Sequence, residues 1–138
     1  MIYLLDTNVV SELGSETPST DVQQWIRDHS RDELFISVAT IGETAYGIQI
    51  MAEGKRKEKL RAWFEEDFLE WIGVKIYPIG ESVMRDWAVL KAKSRPLPVV
   101  DSLLAATALA AGATLVTRNV KDFAGIDGLR VVNPWEKM

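Results

Sequence analysis

Four carboxylates sit where short apolar runs give way to polar residues: Asp6 after "IYLL", Glu43 in "SVATIGETAYG", Asp101 in "VVDSLL" and Asp122 in "VTRNVKDF". Brought together, three or four ionised carboxylates repel one another, and without a cation some must take up protons with raised pKa values. A divalent ion resolves that conflict, and an all-oxygen donor set suits Mg²⁺ or Mn²⁺ rather than zinc. Such an ion lowers the pKa of bound water and offsets charge on a phosphoryl group under attack; two ions roughly 3.5 to 4 Å apart can do both. Phosphodiester hydrolysis is the reaction this residue set favours.

Each acid also has a purely structural reading. Asp6 and Asp101 could be helix N-caps, Asp122 could brace a turn, and Glu43 is an ordinary helix former. Glu43 nevertheless shares a helical face with Tyr46, Gly47 and Ile50, so it need not point to water. Whether the four meet depends on the elements that carry them.

Strand-forming runs occupy 2–5, 34–38, 74–79, 114–117 and 130–133. Between them the spacing predicts a helix over Glu81–Arg95 with Val83, Trp87 and Leu90 on one stripe. A second, built almost wholly of small and apolar residues, runs from Asp101 to Ala111 and stops at Gly112. Pro96 and Pro98 separate the two. The segment 53–71 reads as an exposed charged helix with Leu60, Phe64 and Trp71 turned inward, and 21–29 as a helix whose apolar positions are Val22, Trp25 and Ile26.

Strands alternating with helices predict an α/β fold, a parallel sheet covered on both faces. In such a sheet a helix starts at the carboxyl edge of the strand before it, and ligands bind in the crevice there. That rule puts Asp6 at the end of the first strand and Glu43 early in the helix after the second. Asp101 opens the buried helix and Asp122 lies just past the fourth strand, so all four reach one edge.

Composition narrows the rest. A chain of 138 residues, 47% of them hydrophobic, is expected to form one domain over 1–138. The N-terminus lacks a signal-peptide pattern, and no apolar run approaches the roughly 20 residues that span a bilayer, so a cytoplasmic protein without membrane contact is expected. Absence of cysteine excludes disulfides, thiolate zinc sites and a cysteine nucleophile. The one histidine, His29 in "WIRDHSRDE", reads as a surface residue at a helix C-terminus.

A net charge of −4 counts against broad, non-specific nucleic-acid binding. However, Lys55, Arg56, Lys57, Lys59 and Arg61 cluster in one segment, and Arg118 and Lys121 flank Asp122. These are either local basic rims that steer a phosphate chain toward an acidic centre or ordinary solubilising charge.

The stretches "LLDTNVVSEL" (4–13), "SVATIGETAYG" (37–47), "VVDSLLAATALAAGATLVTRNVKDF" (99–123) and "VVNPW" (131–135) together resemble the PIN-domain ribonucleases, specifically the VapC-like toxins of toxin–antitoxin pairs. The resemblance covers nearly the whole chain in the right order. It implies a three-layer α/β/α fold with a mostly parallel sheet of four to five strands. It also implies an acidic quartet of Asp6, Glu43, Asp101 and Asp122 that binds Mg²⁺ or Mn²⁺. Thr7, Asn8, Thr117 and Asn119 are the supporting positions. Many PIN domains carry an acid where this chain has Asn119, which leaves one metal or two open, and Ser102 replaces a frequent alanine, a change expected to be inconsequential. The implied partners are an RNA substrate, a VapB-like antitoxin, a second copy of the chain, and operator DNA reached only through the antitoxin.

Two rivals belong to other classes, and a third, a phosphatase, lies nearer. A phosphoacceptor receiver domain needs an aspartate ending the third strand, where this chain reads "VKIYPIGES". A Mg²⁺-dependent phosphatase of small molecules could use the same carboxylates but gains no support from a glycine-rich phosphate loop. A catalytically inactive PIN-fold binding module would have no reason to retain all four acids.

Overall fold

The computed structural model describes residues 1–136. Its strands are β1 (Tyr3–Leu5), β2 (Leu34–Ser37), β3 (Ile76–Tyr77), β4 (Thr114–Val116) and β5 (Arg130–Val132), in spatial order β3-β2-β1-β4-β5. Every pairing is parallel. The five predicted runs therefore all pair, with trimmed ends. β3 shrinks most, because Pro78 has no N–H to extend the ladder.

The helices are α1 (Thr7–Leu13), α2 (Thr20–Arg27), α3 (Val38–Gln49), α4 (Lys55–Ala62), α5 (Leu69–Ile72), α6 (Glu81–Lys93) and α7 (Val99–Ala111). Alternation along the central strands divides the core into two layers. Leu5 and Val116 pack with Val9, Val10, Val22, Phe64, Phe68 and Ile72 on one face; Leu4 and Leu115 pack with Leu90, Leu104, Ala105, Ala108 and Phe123 on the other. The small residues of α7 let it lie close to the sheet. Gly112 ends it at φ 65°, a left-handed conformation that suits glycine.

Some expectations need correction. The segment 53–71 is not one regular helix: a π-helical turn, Trp63–Phe68, separates α4 from α5. Phe64 is buried and Leu60 and Trp71 pack against the same core, as expected, and the wider winding brings Phe68 into that core as well. The basic cluster of α4 is not uniformly free either. Lys57 is buried, its ammonium 2.6 Å from Glu53 and donating to the Gln49 carbonyl at 3.2 Å, and Arg61 spans Glu58 and Glu65. His29 is half-buried rather than superficial, stacked on Trp25 at 3.9 Å between ring centroids, with Tyr3 edge-on to both rings. Val22 is core; Trp25 and Ile26 pack against it.

The switch point of this topology lies at β1, where the chain runs outward through β2 to β3 on one side and through β4 to β5 on the other. The carboxyl ends of β1 and β4 flank that point, the place where sheets of this kind bind ligands.

Candidate active site

Asp6 serves the sheet, the helix and the site at once. Its N–H donates to the Val116 carbonyl at 2.9 Å, continuing the β1–β4 ladder, and its own carbonyl accepts from Val9 and Val10 to start α1. Its carboxylate caps that helix, accepting from the Thr7 N–H at 2.6 Å. The other oxygen accepts from the Thr117 hydroxyl at 2.7 Å and from the Asn8 amide at 3.4 Å. Cap and site are thus not alternatives for Asp6. Burial pushes its carboxyl up, the Thr117 and Thr7 hydrogen bonds pull it back, and the Glu43 charge adds to the rise; the net direction is upward.

Thr117 closes the site from the β4 side. Its hydroxyl also accepts from the Asn8 amide at 3.2 Å and from the Asn119 N–H at 3.1 Å, while the Asn8 carbonyl oxygen accepts from the Arg118 N–H at 3.3 Å. These bonds tie the first turn of α1 to the strand end across the switch point. Thr7 reaches the other way, its hydroxyl donating to Glu43 at 2.5 Å. Glu43 is half-buried on α3, although Tyr46 and Ile50, expected to share its sheltered face, are each 66% exposed.

Asp101 lies in the first turn of α7, which begins at Val99 after Pro98, so it is not an N-cap. A carboxylate there gains from the helix dipole. Its carboxyl is nevertheless pushed up to about 6, first by burial and then by the charges of Asp6, Glu43 and Asp122. Asp122 is exposed on a 3₁₀ turn, Val120–Phe123, pinned by the buried Phe123. The charges of Asp6, Glu43 and Asp122, supplied by three other segments, thus all reach Asp101.

Of the supporting residues, Thr7, Asn8 and Thr117 act through side chains, and Asn119 through its backbone N–H. Ser102, expected to be inconsequential, is fully buried: its hydroxyl accepts from the Trp87 indole at 2.8 Å and donates to the Val99 carbonyl at 2.7 Å. That link fastens α6 to the turn carrying Asp101. Only the amphipathic position of Trp87 hinted at it.

The donor set fits a hard divalent ion: carboxylates, hydroxyls and an amide, with a buried carboxylate that no cation neutralises. Among the described residues no three of the acids close into a finished metal cage.

The PIN domain model matches residues 3–129. The plasmid stability protein StbB of Pseudomonas syringae pv. tomato is 36% identical over 98% of this chain and 99% of its own. The VapC ribonuclease Y4jK of Sinorhizobium fredii is 33% identical over 98% and 99%. Among solved structures, FitAB bound to an IR36 DNA fragment superposes with a TM-score of 0.90 at 29% identity, covering 99% of this chain and 98% of that one. With a parallel sheet in the order β3-β2-β1-β4-β5, these likenesses establish that the chain belongs to the PIN-domain family.

Proposed function

We propose that this chain is an endoribonuclease, the toxin of a toxin–antitoxin pair, and that Asp6, Glu43, Asp101 and Asp122 hold Mg²⁺ or Mn²⁺ at its active site. The observation that carries this reading is the hydrogen-bonded frame around two of the acids: Thr7 binds Asp6 through its N–H and Glu43 through its hydroxyl, and Thr117 holds the other oxygen of Asp6. The ion, when bound, supplies an acidified water and offsets charge on the phosphoryl oxygens.

The chain's own residues prepare the site. Thr117 and the Thr7 N–H fix the rotamer of Asp6, Thr7 fixes Glu43, and Asn8 locks α1 to the end of β4, so these acids need no reorganisation as substrate arrives. Asp101 projects from a rigid helix, and Asp122 borders the open side. The relatives named for a ribonuclease and for a DNA-bound pair support RNA as substrate and an antitoxin as partner that carries the operator contact. Tyr46 and Ile50 give α3 an exposed apolar strip suited to a homodimer. No helix among the described residues is long and apolar enough to cross a membrane, in keeping with action in the cytoplasm on cellular RNA.

The test is incubation of a total cellular RNA pool with purified, antitoxin-free protein and Mg²⁺ or Mn²⁺, with and without EDTA. Discrete products that vanish with EDTA are expected, and their mapped ends identify the target. No cleavage by folded protein under either metal, with hydrolysis of small phosphate esters instead, would replace the ribonuclease with a small-molecule phosphohydrolase.

A further inference from the structure

We propose that Arg95, Arg118 and Lys121 form a cationic lip beside β4 that binds phosphates of the RNA strand flanking the scissile bond; the inference rests on the ribonuclease reading above. An acidic centre on a chain of net charge −4 repels a polyanion, so local cations must bring the strand in. Several cations of the molecule are already spent: Lys57, Arg61 and Arg85 all pair with glutamates. Among the described residues, Arg95, Arg118 and Lys121 make no ion pair, and all three are exposed.

These three residues are also held in place by the site itself. Arg118 directly follows Thr117, its N–H donates to Asn8, and its guanidinium lies over the Trp135 ring at 5.0 Å. Trp135 packs against the core, so the stack has a fixed base. Lys121 directly precedes Asp122, and its carbonyl accepts from the Arg95 guanidinium at 2.6 Å, which draws the α6–α7 link onto the turn that carries Asp122. The guanidinium groups of Arg95 and Arg118 are thus anchored and lose less freedom on binding than loose side chains, while the Lys121 backbone is pinned beside Asp122. The exposed cations of α4, Lys55, Arg56 and Lys59, have no hydrogen bond to the acids or to their supports.

The experiment is a salt titration of RNA binding, read by anisotropy of a fluorescein-labelled oligouridylate with Ca²⁺ in place of Mg²⁺. On single strands each phosphate contact contributes about 0.7 to the slope of log affinity against log salt. Arg95→Gln, Arg118→Gln and Lys121→Gln are each expected to flatten the slope by about 0.7, and the triple variant by about 2. Arg118→Lys keeps its charge and most of the slope. The triple Lys55→Gln, Arg56→Gln, Lys59→Gln leaves it unchanged. Mn²⁺ affinity does not fall in the lip variants, since removing cations beside the site relieves repulsion of the ion, and this separates strand binding from damage to the acids; the single variants carry the test if the triple fails to fold. Wild-type cleavage with an unaltered slope in the lip variants, or an equal loss in the α4 triple, overturns the lip alone. Wild-type protein that neither binds nor cuts RNA overturns the ribonuclease with it.

Discussion

Asp6 and Asp101 belong to one site but are held in opposite ways. Asp6 is 4% exposed and accepts hydrogen bonds from Thr7, Thr117 and Asn8, so the fold has met most of what its charge requires. Asp101 is half-buried, and among the described residues its carboxylate has no hydrogen bond or ion pair. One acid is fixed by partners, the other only by the helix it stands on. A fold that satisfies one carboxylate and leaves its neighbour facing three other acids has built in a demand for positive charge. Hydrogen bonding thus sets the geometry of the β1–β4 half of the site, whereas on the proposed reading unrelieved charge in the α7 half would draw in the cation.

The comparison breaks most sharply at Asp101. Asp101→Asn is expected to lower cleavage by more than about 100-fold, beyond the 10- to 100-fold typical of changes behind a metal ligand. Without metal, the same variant is as stable as the parent or more so. The sign follows from linkage: a carboxyl raised from 3.8 to about 6 in the folded state favours folding when protonated, and that advantage is lost as pH rises across this interval. The melting temperature of metal-free parent protein therefore falls between those pH values, Mg²⁺ restores it at neutral pH, and Asp101→Asn flattens the pH dependence. A parent melting curve indifferent to both pH and Mg²⁺ would show that Asp101 carries no unrelieved charge.

Thr117→Val tests the opposite half. The change is nearly isosteric, but it removes the hydroxyl that donates to Asp6 and accepts from Asn8 and Asn119. The expected cost is about 1–3 kcal/mol in denaturant unfolding, as for unsatisfied buried partners. Mn²⁺ affinity or turnover should fall 10- to 100-fold as Asp6 loses its set rotamer. Stability should thus move at Thr117 more than at Asp101. Equal stability losses at the two positions would erase the distinction between an anchored and an unanchored acid.

The sequence makes placement legible and partnership obscure. Alternating apolar residues locate the strands, and the parallel-sheet rule then brings Asp6, Glu43, Asp101 and Asp122 to one edge. Periodicity reports which face a residue takes, but not what it touches there. The Thr117 bond to Asp6 joins opposite ends of the chain, and Trp87 finds Ser102 only once α6 lies on α7. The π turn after α4 escaped for a related reason, since a single wide turn keeps the apolar composition of a helix while changing its winding. His29 carried a polar context in sequence, yet its ring is claimed by Trp25 and Tyr3, which no local pattern announces.

The smallest expected effect falls at the rim, where Asp122 and Asn119 compete for the fourth position. Asp122 is exposed, but its charge reaches Asp101 and contributes to the rise of that carboxyl. Asn119 supports Thr117 through its backbone N–H, which any residue but proline retains. Asp122→Ala should therefore weaken Mn²⁺ binding by about tenfold, the order of ~1.4 kcal/mol for one partly screened unit charge near the ion. Asn119→Ala should change it by less than about twofold, because it deletes no charge and leaves the Thr117 bond in place. Isothermal titration of Mn²⁺ into the two variants decides between them. The reverse order would move the fourth ligand from the 3₁₀ turn to the residue that caps it and make Asn119 a direct donor to the ion.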